Sequence, residues 1–538
     1  MPSIKLDGRE VPFEKGDTII RAAHRAGIDV PHYCWHPGLS VAANCRMCLV
    51  EIAPPPGQRG IRLDILKLDP ATGKYSVDQK PKLQPACQVE CADGMNVLGD
   101  SSPHVADARK AVQELLLLNH PVDCPICDQA GECRLQDYWL EHGRHKKRMH
   151  DEIVHKPKAQ SFGPTIVYDA ERCIVCTRCV RFVDEIAKDP VLDKRERGNL
   201  SEITLAPGRQ LDNNYTLMTE HVCPVGALTA KDFRFKARVW FLRSARTVCQ
   251  GCATGCNAYL DYDPRSMTAY RHRPRENLAV NQYWMCDVGM LSYRRAHEAR
   301  VTHARLGGKL GSMADALEEV KRRLGGVPEG KLAVVLSAQH SSEDNFALAR
   351  LGRDHLRAGH FFVSGLPHGA GDGILYHPDK NPNTAGAKAA AGGEAGSFDD
   401  LLAAIGAGRV THVLALGAEI PSDEGARAAL GRLSTLVTVA AHEGPLVAAA
   451  HVALPATTWA ESAGTYVNAK DMAQKSEAAL RPRGESRPAW EWTGLIAKAL
   501  GLSFGFSKLA ELRRAMTPSG VEAAATDAVP VEVAPPAP

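Results

Sequence analysis

The chain has 538 residues and a net charge of +3, from 65 lysines and arginines against 62 aspartates and glutamates, so it presents no broad basic field for nucleic acid. It is long enough for several domains, and it contains no apolar run of the roughly 18 residues that a bilayer span requires. Its sixteen cysteines all fall between Cys34 and Cys286 in grouped spacings, and the opening Met1-Pro2-Ser3-Ile4-Lys5-Leu6-Asp7 lacks the apolar stretch of a secretion signal. Together these point to metal or redox sites in a reducing compartment and away from a secreted disulfide scaffold.

Residues 3–31 predict a hairpin turning at Asp7-Gly8 and then a helix over 18–26, the beginning of a β-grasp, ferredoxin-like domain. Cys34 follows, then ten residues, Cys45-Arg46-Met47-Cys48, and after a long gap Gln84-Pro85-Ala86-Cys87. The pattern resembles that of plant-type 2Fe-2S domains, whose first spacing is usually about four residues where here it is ten. Residues 54–82 read as an insertion between the third and fourth ligands, and Cys91 competes with Cys87 for the fourth place.

Apolar residues at 105, 108, 112, 115 and 116 predict an amphipathic helix that Pro121 ends. His120, Cys124, Cys127 and Cys133 then place one imidazole and three thiols within fourteen residues. A helix-terminal histidine favoured by the dipole is the competing reading of His120. Against it, three cysteines leave a four-iron cubane one ligand short, and no further cysteine occurs before Cys173. The basic run 142–150 has no interleaved aromatics to serve as a stacking platform, so it reads as a solvated loop able to dock on an acidic partner.

Cys173-Ile174-Val175-Cys176-Thr177-Arg178-Cys179 wraps three thiolates at two-residue intervals, and Cys223-Pro224 completes a set of 4Fe-4S ligands as in bacterial ferredoxins. Structural zinc competes for these residues, although it favours separated C-x2-C pairs or pairs with histidines. No cysteine lies between Cys179 and Cys223, where a two-cluster ferredoxin carries its second ligand set. Cys249, Cys252, Cys256 and Cys286 form C-x2-C-x3-C-x29-C, which resembles the 4Fe-4S module at the head of molybdopterin oxidoreductases, with zinc again the alternative. Beyond residue 300, apolar runs at 332–336, 360–363, 410–416 and 436–440 predict buried parallel strands of a doubly wound sheet. Residues 366–397 read as a loop and 516–538 as a disordered tail rich in proline and alanine.

Laid end to end, these motifs resemble the family of the large iron-sulfur subunit of respiratory complex I, NADH-quinone oxidoreductase. The likeness is specific over residues 1–300 and looser over 300–500. It rests on phrases such as Asn44-Cys45-Arg46-Met47-Cys48, Asp123-Cys124-Pro125-Ile126-Cys127 and Cys173-Ile174-Val175-Cys176. The resemblance implies an α/β multidomain chain. It begins with a 2Fe-2S ferredoxin-like domain over 1–100, a 4Fe-4S domain ligated by one histidine and three cysteines over 101–160, and a 4Fe-4S ferredoxin-like domain over 161–242. A 4Fe-4S module over 243–299, a truncated molybdopterin-oxidoreductase-like α/β domain over 300–515, and the tail 516–538 complete it.

By the same resemblance, Cys34, Cys45, Cys48 and Cys87 hold one 2Fe-2S cluster, Cys87 being chosen because Leu83-Gln84-Pro85-Ala86-Cys87 fits the family's closing ligand. Three 4Fe-4S clusters fall to His120 with Cys124, Cys127 and Cys133; to Cys173, Cys176, Cys179 and Cys223; and to Cys249, Cys252, Cys256 and Cys286. No molybdenum cofactor is expected: Asp287 stands where many molybdenum enzymes carry lysine, no later cysteine offers a metal ligand, and the C-terminal domain is too short to enclose pterins.

The implied role is to relay electrons from a flavin-bearing, NADH-oxidising subunit toward partner subunits that reduce quinone, within a proton-translocating NADH:quinone oxidoreductase. No residue of this chain is then catalytic. The implied location is peripheral, on the cytoplasmic face of the bacterial inner membrane, with membrane contact only through partner subunits and no nucleic acid bound. An electron-input subunit of an NAD-linked formate dehydrogenase or hydrogenase is the alternative, and a zinc-stapled scaffold without redox function is the alternative of another class.

Overall fold

A computed structural model describes residues 1–53, 60–146, 148–393, 395–420 and 423–516, in two compact units divided between Trp240 and Phe241. The expected tail lies almost wholly outside the described residues.

The first unit opens with β1 (Ser3–Leu6) and β2 (Arg9–Pro12), joined at Asp7 and Gly8, whose φ values of 48° and 81° give the left-handed pair that a tight two-residue hairpin requires. Helix α1 (Ile19–Arg25) buries Ile19, Ile20, Ala22 and Ala23 against Ile4, Leu6 and Val11. Each large aliphatic side chain removed from water there contributes about 1.5–3 kcal/mol. The sheet is completed by β3 (Leu49–Ala53), β6 (Gln84–Pro85) and β7 (Asn96–Leu98), in the order β2-β1-β7-β3-β6, with β1 and β7 parallel. Between β3 and β6, the part of the insertion that is described is a hairpin, β4 (Arg62–Leu68) paired with β5 (Tyr75–Pro81), and it leaves Leu63, Leu66, Tyr75 and Val77 exposed.

Helix α2 (Pro103–Leu117) starts where Ser102 accepts from the backbone N–H of Val105 at 3.3 Å, with proline in the first position, where a missing N–H is harmless. The helix is where the sequence places it, but its buried face is different. Val105, Arg109 and Gln113 face inward, whereas Leu115, part of the apolar period, is exposed. Polar bonding overrides the hydrophobic stripe: Gln113 donates to Leu135 O at 2.9 Å and accepts from the Tyr33 hydroxyl at 2.5 Å, while Arg109 pairs with Asp100.

Helix α3 (Arg134–His142) follows, then a small sheet of β8 (Gln160–Ser161), β9 (Ile166–Tyr168) and β12 (Leu228–Ala230) in the order β12-β9-β8. Between β9 and β12 come α4 (Arg178–Glu185), the paired strands β10 (Leu192–Arg195) and β11 (Glu202–Leu205), and α5 (Thr216–Val222).

The second unit begins with an antiparallel meander, β13 (Arg243–Val248), β14 (Asn257–Asp263) and β15 (Thr268–Pro274), followed by the short helix α6 (Asp287–Leu291). Next come β16 (Arg305–Leu306), β17 (Lys309–Leu310), β18 (Leu332–Ser337), β19 (His360–Ser364), β20 (His412–Leu416), β21 (Thr435–Ala440) and β22 (Val452–Pro455). They form one sheet in the order β17-β16-β22-β21-β20-β18-β19, parallel from β22 to β19. Residues along β18 alternate between two cores: Leu332, Val334 and Leu336 enter one, Ala333 and Val335 the other. This is the doubly wound sheet that the apolar runs predict, buried on both faces. The predicted loop 366–397 contains a helix at Thr384–Ala390, built from alanines that a search for apolar periodicity overlooks. The pair β23 (Gly464–Val467) and β24 (Ala473–Ser476) lies beyond the sheet.

Candidate metal centres

All sixteen cysteines are free thiols. Strand register brings the expected ligands together. Leu49 pairs with Pro85, and Ala86 N donates to Cys48 O at 2.9 Å, so Cys48 and Cys87 lie side by side. Their thiols are hydrogen-bonded to each other, as are those of Cys34 and Cys45. The thiol of Cys34 bonds to Cys45 and holds the latter's pKa down at about 5, and the Cys48 contact likewise lowers Cys87. Cys91 stands apart: its thiol, pushed up to about 11 by burial and by the Asp17 carboxylate, lies toward Asp17 and Arg25.

Cys133 stands at the N-cap of helix α3, and the backbone N–H groups of Leu135 and Gln136 lie near its thiol, whose pKa burial pushes up to about 12. Cys133, Cys124 and His120 border one cavity of about 420 Å³ with Leu135 and Trp139. Cys127 lies within electrostatic reach of both other cysteines. Burial lowers His120 to about 4, keeping it as the neutral imidazole that ligates metals, and its Nδ1 is buried with no hydrogen-bond partner.

The antiparallel register Tyr168↔Leu228 sets the end of β9 beside the start of β12, which brings the Cys173–Cys179 loop against Cys223. The four thiols line one cavity whose remaining walls include Ile203, Val225, Ala227 and Leu228. Burial raises Cys173, Cys176 and Cys223 to about 11. Val175 N donates to Cys173 Sγ at 3.3 Å, and Cys223 Sγ donates to Val225 O at 3.1 Å.

Two of these loops carry left-handed backbone. Ala43 and Arg46 flank Cys45, and Val175 and Thr177 flank Cys176, all with φ between 51° and 61°. Left-handed backbone costs an L-residue roughly 1–2 kcal/mol, with β-branched valine and threonine the least tolerant, and it persists where surrounding structure imposes it.

In the second unit, Val248 pairs with Asn257, and Cys249 N donates to Cys256 O at 2.8 Å, closing a loop that carries Cys249, Cys252 and Cys256. Cys286 caps α6, and Gly289 N donates to its Sγ at 3.4 Å. A Cβ on Gly289 would stand 3.0 Å from Cys249 Sγ and 3.6 Å from Cys286 Sγ, so the backbone of α6 closes directly over these two thiols.

Among the described residues, no three His, Cys, Asp or Glu side chains are gathered as a single metal ion gathers them. The third set places four thiols around one cavity, and His120, Cys124 and Cys133 of the second border another; backbone N–H groups are aimed at sulfur in the third and fourth sets, and an imidazole nitrogen of the second is left free. These donors fit iron-sulfur clusters.

Residues that the spacing of cysteines could not reveal join the sets of the first unit. Asp123, beside Cys124, pairs with Arg172, beside Cys173, at 3.0 Å. Arg134 N donates to Pro224 O at 3.1 Å, and Gly226 lies so near the second set that a Cβ there would meet Cys127 Sγ at 2.2 Å. The one available signal was adjacency: Asp123, Arg134, Arg172 and Pro224 each sit next to a candidate ligand.

The comparisons with known proteins follow the same order along the chain. A 2Fe-2S iron-sulfur cluster binding domain matches residues 2–70, and an NADH-ubiquinone oxidoreductase-G iron-sulfur binding region matches 109–148. An NADH-quinone oxidoreductase subunit 3 ferredoxin-like domain matches 163–229, and a molybdopterin oxidoreductase family matches 267–499. The NADH-quinone oxidoreductase G subunit of Rickettsia felis is 34% identical over 355 residues, 65% of this chain and 49% of that protein. The G subunits of Streptomyces coelicolor, 35% identical over 55% of this chain and 32% of its own length, and of Mycobacterium tuberculosis, 33% over 69% and 44%, are similar. The chain thus spans half or less of these relatives' length. A solved chain from an NAD+-reducing [NiFe]-hydrogenase in the H2-reduced state is 26% identical over 44% of this chain and 91% of its own, with a TM-score of 0.36, too low to carry an argument. Iron-sulfur domain models fall in this order along the chain and the curated relatives share one name, so over the residues matched the chain is similar to NADH-quinone oxidoreductase G subunits.

Proposed function

We propose that the chain relays electrons within an NADH:quinone oxidoreductase, between a flavin-bearing NADH-oxidising subunit and subunits that reduce quinone. The observation that carries this reading is the bonding between ligand sets. Within the first unit, residues next to the ligands of one set hydrogen-bond residues next to the ligands of another. Unlinked zinc staples would need no such joints.

Bound at these sets, iron-sulfur clusters supply the one-electron couple that no side chain of the protein offers. The chain's own residues do the rest. Cys34, Cys45, Cys48 and Cys87 would hold a 2Fe-2S cluster, and the other three sets would hold 4Fe-4S clusters. Apolar walls exclude water, N–H groups donate to sulfur, and the joints fix spacing, so no side chain needs to break a bond. The fourth set, in the second unit, serves the fold of that unit in this reading and lies off the main path, and the α/β sheet acts as a docking or stabilising shell without molybdenum. The division of the chain at residues 100, 160, 242, 299 and 515 belongs to the same proposal. No described helix is long and apolar enough to cross a membrane, and the proposed seat is peripheral, on the cytoplasmic face of the inner membrane through partner subunits.

Purification of the native complex tests this. Co-purification with a flavin subunit and NADH:quinone activity is the expected result, and co-purification with a formate dehydrogenase or hydrogenase contradicts it.

A further inference from the structure

Helix α4 follows directly on the cysteine loop of the third set, and Arg178, Arg181 and Glu185 recur along it at the spacing of one helical face. All three bond to the loop that carries the ligands of the first set. Arg178 Nη2 donates to Trp35 O, and its Nη1 donates to Val222 O at 3.3 Å. Arg181 Nη1 donates to Ser40 O, while its Nη2 donates to Cys34 O at 2.5 Å and to Cys176 O at 3.4 Å. Glu185 accepts from Ser40 N at 2.9 Å and from the Ser40 hydroxyl. Beside them, Asn44 Nδ2 donates to Val175 O at 3.3 Å. One guanidinium therefore touches the backbone of a ligand from each of two sets.

The charge balance there is unusual. Arg178 is buried, and the Nε atoms of both arginines are buried without a partner. None of the described ion pairs gives either guanidinium a carboxylate, and the groups that favour the charge of Arg178 are Cys176 and Cys223 of the third set. Burying a cation without a counter-charge costs several kcal/mol, so a site of this kind is stable when its anionic partner is the ligand set itself. A fixed positive charge beside a redox centre favours the state carrying one more electron.

We infer that Arg181, seated by Arg178 and Glu185, is a positioning residue that locks the first ligand set against the third and raises the reduction potential of both. The inference rests on the cluster reading proposed above. Reduction of either centre adds one electron and neither forms nor breaks a bond.

The test uses the full chain reconstituted anaerobically with ferrous iron and sulfide and titrated with dithionite under electron paramagnetic resonance (EPR). In Arg181→Met, with iron and acid-labile sulfide as in the wild type, the potentials of the first and third centres are expected to fall together while the second and fourth stay in place. Arg181→Lys, which keeps the charge but loses the fork, should recover most of the shift. Should Arg181→Met fail to load, the comparison moves to Arg181→Gln against Arg181→Lys, with lower potentials expected only in the glutamine variant. Loaded variants whose potentials match the wild type overturn the inference alone. A wild-type chain without any iron-sulfur signal overturns the reading beneath it as well.

Discussion

At the scale of single residues, His120 and the pair Cys87 and Cys91 carry the sharpest consequences. A neutral imidazole in place of a thiolate removes one negative charge from a cluster and raises its potential. His120→Cys is therefore expected to assemble a centre of lower potential, measured by EPR-monitored titration. Cys87 belongs to the group of four thiols and Cys91 lies toward Asp17, so Cys87→Ser should abolish the 2Fe-2S signal and Cys91→Ser should leave it unchanged. His272 makes a prediction of pH dependence. Burial holds it at about 4, below its ordinary value, with Nδ1 against Gly289 O and the Ser292 hydroxyl. The unfolded chain binds the proton first, so this contribution is complete above about pH 6.5 and is lost as pH falls toward 4, by at most about 3 kcal/mol. His272→Gln should flatten that slope in thermal unfolding of the protein. The candidate ligand sets were read from spacing, because a cluster would hold most of its ligands at short intervals along the chain. Arg181 was not, because its carbonyl acceptor on Cys34 is distant in sequence and any surface arginine on a helix looks the same.

Among the elements, the strands of the α/β sheet were legible because burial on both faces makes continuous apolar runs, and the Asp7-Gly8 hairpin because only a few residues accept its geometry. Helix α2 shows where such reading fails. Its period was visible, yet Arg109 and Gln113 are buried by specific polar partners, which no periodicity encodes. The insertion was read from the sequence, but its strands β4 and β5 were hidden, since they are exposed and lack a clean alternation of polar and apolar residues. The loop from Cys223 to β12 carries the element-scale prediction. Gly226 lies so close to Cys127 that a methyl group there must displace the sulfur or Gln129, whose Cβ would be 3.0 Å away. Gly226→Ala should destabilise the first unit by about 1–3 kcal/mol. Iron analysis and EPR are expected to show loss of the centre at His120, Cys124, Cys127 and Cys133.

For the whole molecule, cysteine-bearing loops sit at strand and helix ends in both units, while the large parallel sheet carries no cysteine. The cysteine-free sheet was readable from where the cysteines stop. The joints between ligand sets were not, because they are made by backbone carbonyls and by arginines that have no spacing rule. The most direct test of electron transfer as the chain's work is anaerobic metal analysis of the fully loaded full-length protein, read together with its visible absorption and EPR spectra before and after dithionite. One 2Fe-2S and three 4Fe-4S centres require roughly fourteen irons per chain, a brown colour that bleaches on reduction, and no stoichiometric molybdenum. A colourless protein carrying zinc, with nothing that dithionite reduces, would contradict it.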